Sequence, residues 1–526
     1  MKAFATLLER LLFSPGRNAK IALLRQYFAT QPDPERGFAL AALAGALNFP
    51  GAKAATLRAM AEARTDTVLF ALSYDFVGDL AETIALIWPK PAIDAPPNLP
   101  TVITALRATK RDAIPQLIAG WLDQSDISSR IALLKLLTGG LRVGASLRLA
   151  LQALAELGAV DVHQIEEIWH ALKPPYENLF TWLIHKAARP DASGSPVFRP
   201  VMLAHPIEAK DIAALDWQAH RAEWKWDGIR VQIVATPQGK RLYTRNAEDI
   251  SHVFPEILAA MNFSAVLDGE LLVIRGDDIA PFSDLQQRLN RKTVTAAMMK
   301  EFPVGVKLYD MLFDGEEDIR ALSLDARRHR LEAFMVAQTP TIMSLSEQIK
   351  FDSYEDLAAL RTNARAAAQE GLMIKRADAP YLAGRPRGLW WKWKREPLSV
   401  DAVLMYAQRG HGKRSSYYSD YTFGVWNETG ELLPIGKAYS GYTDAELVFL
   451  DKWIRNHTIA RFGPVREVTK DIVFEVGFDS VQISTRHKSG IALRFPRILR
   501  IRNDKPATEA EQLVAIKALI PRFWRQ

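Results

Sequence analysis

The chain has 526 residues, 48% of them hydrophobic and 24% charged, with a formal net charge of +7 and no cysteine. At about 100–200 residues per domain this length predicts three domains, and the missing cysteine excludes disulfides, cysteine-ligated zinc and a cysteine nucleophile. No apolar run approaches the ~18–20 residues of a membrane helix, so no membrane partner is expected; the basic balance is compatible with a polyanion such as nucleic acid.

The opening segment, MKAFATLLERLLFSPG, carries Glu9 and Arg10 inside its apolar stretch. It reads as an amphipathic first helix rather than a signal peptide, which makes the cytoplasm the default location. Residues 37–47 are Ala-rich and stop at Asn48 and Pro50, as a buried helix would. Apolar residues recur at three- and four-residue spacing in AATLRAMAEA and DVHQIEEIWHALK, so the chain to residue 188 is expected to be helical. A Pro-rich interruption at 91–100 divides this region, and RPDASGSP at 189–196 has the composition of a linker.

Beyond the linker, runs such as IRVQIVA, AVLDGELLVI and VGVKLYDMLF read as strands. Helical stretches, including ARRHRLEAFMVAQ and EDLAALRTNARAAAQ, interleave with them and give an α+β pattern over 200–395. Over 397–526 the strand-like segments DAVLMYAQRG, YTFGVWN and DIVFEVGF, separated by Gly-rich or charged turns, suit a small β-barrel. ATEAEQLVAIKALI reads as a closing helix.

Chemistry concentrates first in AEWKWDGIRV at 222–231. In a strand leading to a turn, Lys225 and Asp227 share one side, and Gly228 permits a sharp turn or a close approach. A lysine nucleophile must lose its proton, which takes burial or a neighbouring cation. Arg230 is the candidate cation, able also to hold a phosphate. The plain alternative is a surface lysine beside a turn, although K-x-D-G-x-R arises by chance in only ~1 per cent of chains this long. Taken singly, Glu270 reads as a solvated strand residue, Tyr309 as ordinary core, and Lys392 with Lys394 as an exposed strand edge. No G-x-x-x-x-G-K-[ST] phosphate loop appears; GHGKRS at 410–415 has the wrong spacing.

In order along the chain, these segments resemble the motifs of the ATP-dependent DNA ligases. AEWKWDGIRV resembles their nucleotidyltransferase signature, which implies that Lys225 carries AMP covalently, with Glu223 and Arg230 beside the nucleotide. YTRN at 243–246 resembles the short arginine motif and implies Arg245 on the nucleotide and reacting phosphates; LDGEL at 267–271 implies Glu270 near ribose and metal. PFSDLQQRLNRK matches the F-x-x-L-Q-x-R-x-x-R stretch, and LYDMLFDG implies that Tyr309 stacks on adenine. EGLMIK implies Glu370 as a metal-binding carboxylate, and WWKWK implies Lys392 and Lys394 at the α-phosphate. Family members often carry two adjacent arginines before the lysine pair; here Pro386 separates Arg385 from Arg387, which leaves open which of them meets the nucleotide beyond a first assignment to Arg385.

LRFPRILRIRNDK at 493–505 resembles the C-terminal motif that swings over ATP to orient pyrophosphate, which implies roles for Arg494, Arg497, Asp504 and Lys505. The plain alternative is a basic solvated strand. The 410–415 stretch is similar to a family G-x-G-K-R loop and implies Lys413 and Arg414 near DNA backbone. KLLTGGLRVGAS at 135–146 resembles part of the family's DNA-binding domain and implies Lys135, Arg142 and Gly144 at phosphates. The resemblance thus implies a multidomain fold: an all-α DNA-binding domain over 1–188, an α+β nucleotidyltransferase (adenylation) domain over 200–395, and a β-barrel OB-fold domain over 397–526. It implies ATP as co-substrate, Mg²⁺ as cofactor, nicked double-stranded DNA as partner, a monomer, and a nucleoid-associated place in repair, replication and recombination. RNA ligases and capping enzymes share the K-x-D-G core, but the helical first domain and the R-F-P-R…D-K ending favour DNA. A non-catalytic DNA-binding scaffold predicts a decayed nucleophile, metal carboxylate or C-terminal motif, and none has decayed.

Overall fold

The computed structural model describes residues 1–89, 95–289, 291, 293–364, 368–410, 416–484 and 487–520. One compact unit comprises Met1–Val201 with Val234–Arg241. It is helical from Lys2–Phe13 through Glu177–His185, and its main segment continues to Val201. Local chemistry sets the helix ends. The Asp126 side chain accepts the Ser129 N–H ahead of helix Ile127–Thr138, and Gly139 ends that helix at φ 69°. Ser146 does the same for Leu147–Gly158 by accepting the Leu149 N–H. Such oxygens satisfy amides that a first turn leaves unpaired, and glycine takes the left-handed backbone without a Cβ clash. Leu133, Leu134, Leu151 and Leu154 join Phe4, Phe28 and Phe180 in one core, each such side chain contributing about 1.5–3 kcal/mol by leaving water. The Ala-rich stretch forms helix Glu35–Leu43, buried from Arg36 onward. DVHQIEEIWHALK is less regular than its spacing suggests: Val162–Glu166 is one short helix and Trp169–Ala171 a 3₁₀ turn.

The second unit comprises Met202–Ile233 and the chain from Leu242 onward. A five-stranded sheet runs in the order His205–Pro206, Trp390–Lys394, Gln369–Arg376, His220–Trp226, Gln348–Ile349. In a second sheet Ala265–Arg275 lies between Ile229–Thr236 and Val304–Asp314. Helix Leu324–Gln338, capped by Ser323, packs on Val304–Asp314. The remaining region is β-rich. Its long strand Leu398–Arg409 pairs with Tyr418–Trp426 on one side, and on the other with both Val473–Phe478 and Val465–Val468. Two register shifts against Tyr418–Trp426 let it bend. Its inward face buries Leu404 and Ala407 with Tyr421, Phe423 and Phe474. The closing helix is shorter than expected, a 3₁₀ turn Ala507–Glu509 followed by Leu513–Ala518.

One ion pair fixes helix to sheet. Arg327 Nε and Nη2 donate to the two carboxylate oxygens of Asp310 at 2.8 and 3.0 Å, and Nη1 donates to the carbonyls of Leu322 and Ala379. Both side chains are fully buried. Removing one partner strands the other charge in a low-dielectric interior, so Arg327→Ala is expected to cost about 3–5 kcal/mol. Urea unfolding measures this; a loss below about 1 kcal/mol would place the pair in the class of solvent-screened contacts.

Candidate active site

The site is built on three neighbouring strands. On His220–Trp226, Ala222 and Trp224 pack into an apolar cluster with Leu372, Ile374, Trp391 and Trp393. Alternation then turns Glu223 and Lys225 to the other face. Lys225 is in register with Gly371 and Glu223 with Met373; across the next strand, Gly371 is in register with Lys394 and Met373 with Lys392. Lys225 and Lys394 therefore share one row, and Glu223 and Lys392 the adjacent one. Gly371 sits between the two lysines at φ 141°, where a Cβ would fall 2.3 Å from the Trp393 carbonyl oxygen. Gly228 serves the close approach its motif suggested, since a Cβ there would lie 2.4 Å from the Leu271 carbonyl oxygen.

Glu270 and Tyr309, from the second sheet, complete a cleft of about 460 Å³, a size usual for small-molecule sites. Arg245, Glu370, Lys392, Lys394 and Arg494 line it, and so does Arg385 of the Arg385/Arg387 pair. Two buried ion pairs are part of this lining, through Glu223, Lys375 and Arg230. Lys375 donates to Glu223 at 2.7 Å, its ammonium 4.7 Å from the ring centres of Tyr309 and Trp390. Arg230 grips Asp268 with two hydrogen bonds of 3.0 and 2.5 Å and donates to the Met202 carbonyl. Tyr381 adds its hydroxyl to Asp268 at 2.7 Å.

Charge in the cleft is finely balanced. Lys225 Nζ donates to Glu370 Oε2 at 2.5 Å, and Lys394 Nζ lies 3.3 Å from the same oxygen. Burial alone would lower the Lys225 pKa, but Glu370, Glu270 and Asp227 outweigh it and hold the lysine above its ordinary value. This corrects the expectation that Arg230 helps deprotonate Lys225: the Arg230 charge is already spent on Asp268, and carboxylates surround the lysine. Burial would raise Glu370, yet Lys225 and Lys394 hold it down at about 2. Glu270 goes the other way, pushed by burial to about 8 against the pull of Lys225 and Arg230. Burial raises Asp227 to about 6 despite Arg494. Lys392 is lowered by burial and by the nearby cations Arg385, Lys225, Lys394 and Arg245.

Among the described residues no group of three or more side chains is arranged to hold a metal. Glu270 and Glu370 nevertheless fit a hard cation that completes its shell with phosphate oxygens, as Mg²⁺ usually does. Each carboxylate faces others across the cleft, Glu270 being raised in part by Glu370 and Asp227, and a divalent charge would relieve that repulsion.

Other expected residues are placed differently. Of the C-terminal group, Arg494 reaches the cleft, ion-paired with Asp227 and 4.4 Å from the Phe282 ring centre. Arg497 lies one step away on Asp479 at 3.3 Å. Asp504 and Lys505 do not reach the cleft: Asp504 pairs with Arg502, and Lys505 with Asp401 at 2.8 Å. Lys135 is buried between Glu82 at 2.7 Å and Asp79 at 3.8 Å, so its charge is neutralised within the helical unit rather than offered to a phosphate. Arg142 and Gly144 are exposed, at φ 46° and 64°, with Lys20 Nζ donating to the carbonyls of Val143 and Gly144. Lys413 and Arg414 lie outside the described residues. The sequence reading missed Lys375, Asp268, Tyr381 and Asp479. The first two stand inside quoted motifs and carry a signal; Asp479 has none, since its side-chain partners come from other strands.

The raised Glu270 pKa has a measurable consequence. Between its ordinary value of 4.5 and about 8 the folded chain holds a proton that the unfolded chain has released. Stability therefore falls as pH rises through that window. Glu270→Gln removes this term, so its melting temperature should gain on wild type between about pH 5 and about pH 9. An equal offset at both ends, followed by calorimetry, would contradict the assignment.

Comparison with known proteins gives consistent matches. A family model described as "ATP dependent DNA ligase domain" matches residues 201–394, and one described as "ATP dependent DNA ligase C terminal region" matches 414–505. A relative from Koribacter versatilis named "Probable DNA ligase" is 36% identical over 407 residues, covering 72% of this chain and 70% of its own. "DNA ligase 1" of Korarchaeum cryptofilum is 29% identical over 413 residues, covering 77% and 74%. The solved structure "Pmar-Lig_PreS3" superposes with a TM-score of 0.58 at 16% identity, over 95% of this chain and 99% of that one, a likeness of fold.

Proposed function

The chain belongs to the ATP-dependent DNA ligase family, and from that premise we propose that it seals nicks in duplex DNA through a lysine–AMP intermediate on Lys225. The observation that carries this reading is the row Lys225–Gly371–Lys394 at the cleft floor, with Glu370 spanning both lysines. ATP enters with its adenine against Tyr309 and its phosphates toward Lys392, Lys394, Arg245 and Arg385. Glu223, fixed by Lys375, and Arg230, fixed by Asp268, hold the base and sugar side of the site in shape. Anionic phosphate draws Lys394 off Glu370, the proton affinity of that carboxylate rises, and Lys225 passes a proton to it and on to solvent, leaving a neutral amine.

Its lone pair attacks the α-phosphorus. The N–P bond forms as the P–O bond to pyrophosphate breaks, pyrophosphate leaves with the electron pair, and the nitrogen gives its remaining extra proton to solvent. In-line positioning and neutralisation of charge account for most of such a barrier. Mg²⁺, held by Glu270 and Glu370, would neutralise phosphate oxygens. AMP then passes to the 5′-phosphate of the nick, the lysine nitrogen leaving. The 3′-hydroxyl next attacks that phosphate and expels AMP. The C-terminal β-rich region is read as an OB-fold whose Arg494 covers the cleft for the first step and withdraws for DNA; the bent strand Leu398–Arg409, shared by two sets of partners, supports this. Arg142 and Gly144 are read as phosphate contacts of the helical unit, and the chain as a monomer serving repair, replication and recombination.

Incubation with α-labelled ATP and Mg²⁺, a denaturing gel and a nicked-duplex chase test the reading. Wild type should keep label that the chase removes as the nick is sealed, and Lys225→Ala should take up none. Lys392→Ala should slow uptake by about 10²-fold, as loss of one transition-state donor does. Wild-type protein that stays unlabelled would sink the proposal.

A further inference from the structure

Asp479 lies between strands Val473–Phe478 and Ser480–Ile483, outside the family motifs quoted above. All of its polar groups are engaged, two with its own C-terminal region and two across the junction with the nucleotidyltransferase region. Its backbone N–H donates to the Arg494 carbonyl at 2.9 Å, next to the arginine that pairs with Asp227 in the cleft. Its carbonyl accepts from Arg395 Nη2 at 2.5 Å. One carboxylate oxygen takes Arg497 at 3.3 Å, and the other lies 3.5 Å from Lys394 Nζ. Arg395 in turn donates its backbone N–H to the Glu370 carbonyl at 3.1 Å.

The side chain thus ties a cleft lysine to the strand that begins at Arg497. The backbone fixes the end of the strand carrying Arg494. From this geometry we propose that Asp479 is a positioning residue for adenylation of Lys225: it holds Lys394 and Arg497 together in the arrangement that sets Arg494 over the cleft. It touches neither ATP nor the reacting atoms. If Arg494 withdraws for DNA as proposed above, the Asp479 carboxylate contacts belong to the nucleotide step and part before the DNA steps. The partners are only half-buried, which suits a contact that opens and closes.

The inference rests on the ligase reading above, and its test separates the two. Wild type, Asp479→Ala and Asp479→Glu are compared in lysine–AMP formation from labelled ATP, and separately in sealing of a pre-adenylated nick without ATP. The alanine variant keeps both backbone hydrogen bonds and loses only the Lys394 and Arg497 links. It should slow label uptake by about tenfold at saturating ATP, yet seal the pre-adenylated nick within about twofold of wild type. The glutamate variant, which keeps the charge, should recover most of the uptake. Unchanged uptake in the alanine variant, or an equal loss in both assays, would overturn the positioning role. Wild-type protein that takes no label would overturn the ligase reading instead.

Discussion

The contact between the Lys225 ammonium and the Glu370 carboxylate governs the rest of the cleft. A buried lysine without a partner loses its proton, and a buried glutamate without one gains it; facing each other at 2.5 Å, both stay charged. The free site is thus stable in a form that cannot attack phosphorus. Its neighbours follow from that choice. Burial drives Glu270 toward its neutral form, and the ionised Glu370 nearby adds to that push. Nucleophile, metal carboxylate and proton reservoir are one coupled system, and a ligand that changes one charge changes all of them.

The ion pairs divide by what surrounds them. Arg327–Asp310, Lys375–Glu223 and Arg230–Asp268 are largely buried, and the two arginines share further donors with carbonyls and, for Arg230, the Tyr381 hydroxyl. These hold shape. At the mouth, Lys392 stands among Arg385, Lys394 and Arg245, cations that raise one another's energy. Such a group is most stable with an anion between its members. The interior pairs supply rigidity so that the outer cations can be left under mutual repulsion, ready for a polyphosphate.

The local parts of this arrangement were readable from residues alone. Lys225, Asp227 and Gly228 announced a strand, a turn and a close approach, and all three are found. The alternation in WWKWK put Lys392 and Lys394 on one face, where they are. What failed was the pairing of charges across distance. Spacing makes Arg230 a cation beside the nucleophile, but its partner Asp268 arrives from another strand. Its motif makes Lys135 a phosphate contact, but Glu82 and Asp79 come from a different helix end. Asp504 and Lys505 share a motif with Arg494, yet they fall past the strand that approaches the cleft and turn to Arg502 and Asp401. Spacing along a chain tells which face a residue occupies; it does not tell whether another element has already cancelled its charge.

The bare position at Gly371 gives the catalytic floor a fixed gauge. Lys225 and Lys394 stand on the two strands that flank it, so their backbones lie about two strand spacings apart, near 10 Å. Gly371 projects nothing between them, and the space it leaves open is where both lysines meet the Glu370 carboxylate. The distance is set by main-chain hydrogen bonds rather than by any side chain. Substitutions can therefore change what charge stands at either end of the span but not its width. Altering the width would require one strand to slip, and a slip of one residue would turn the whole lysine face into the apolar cluster beneath it.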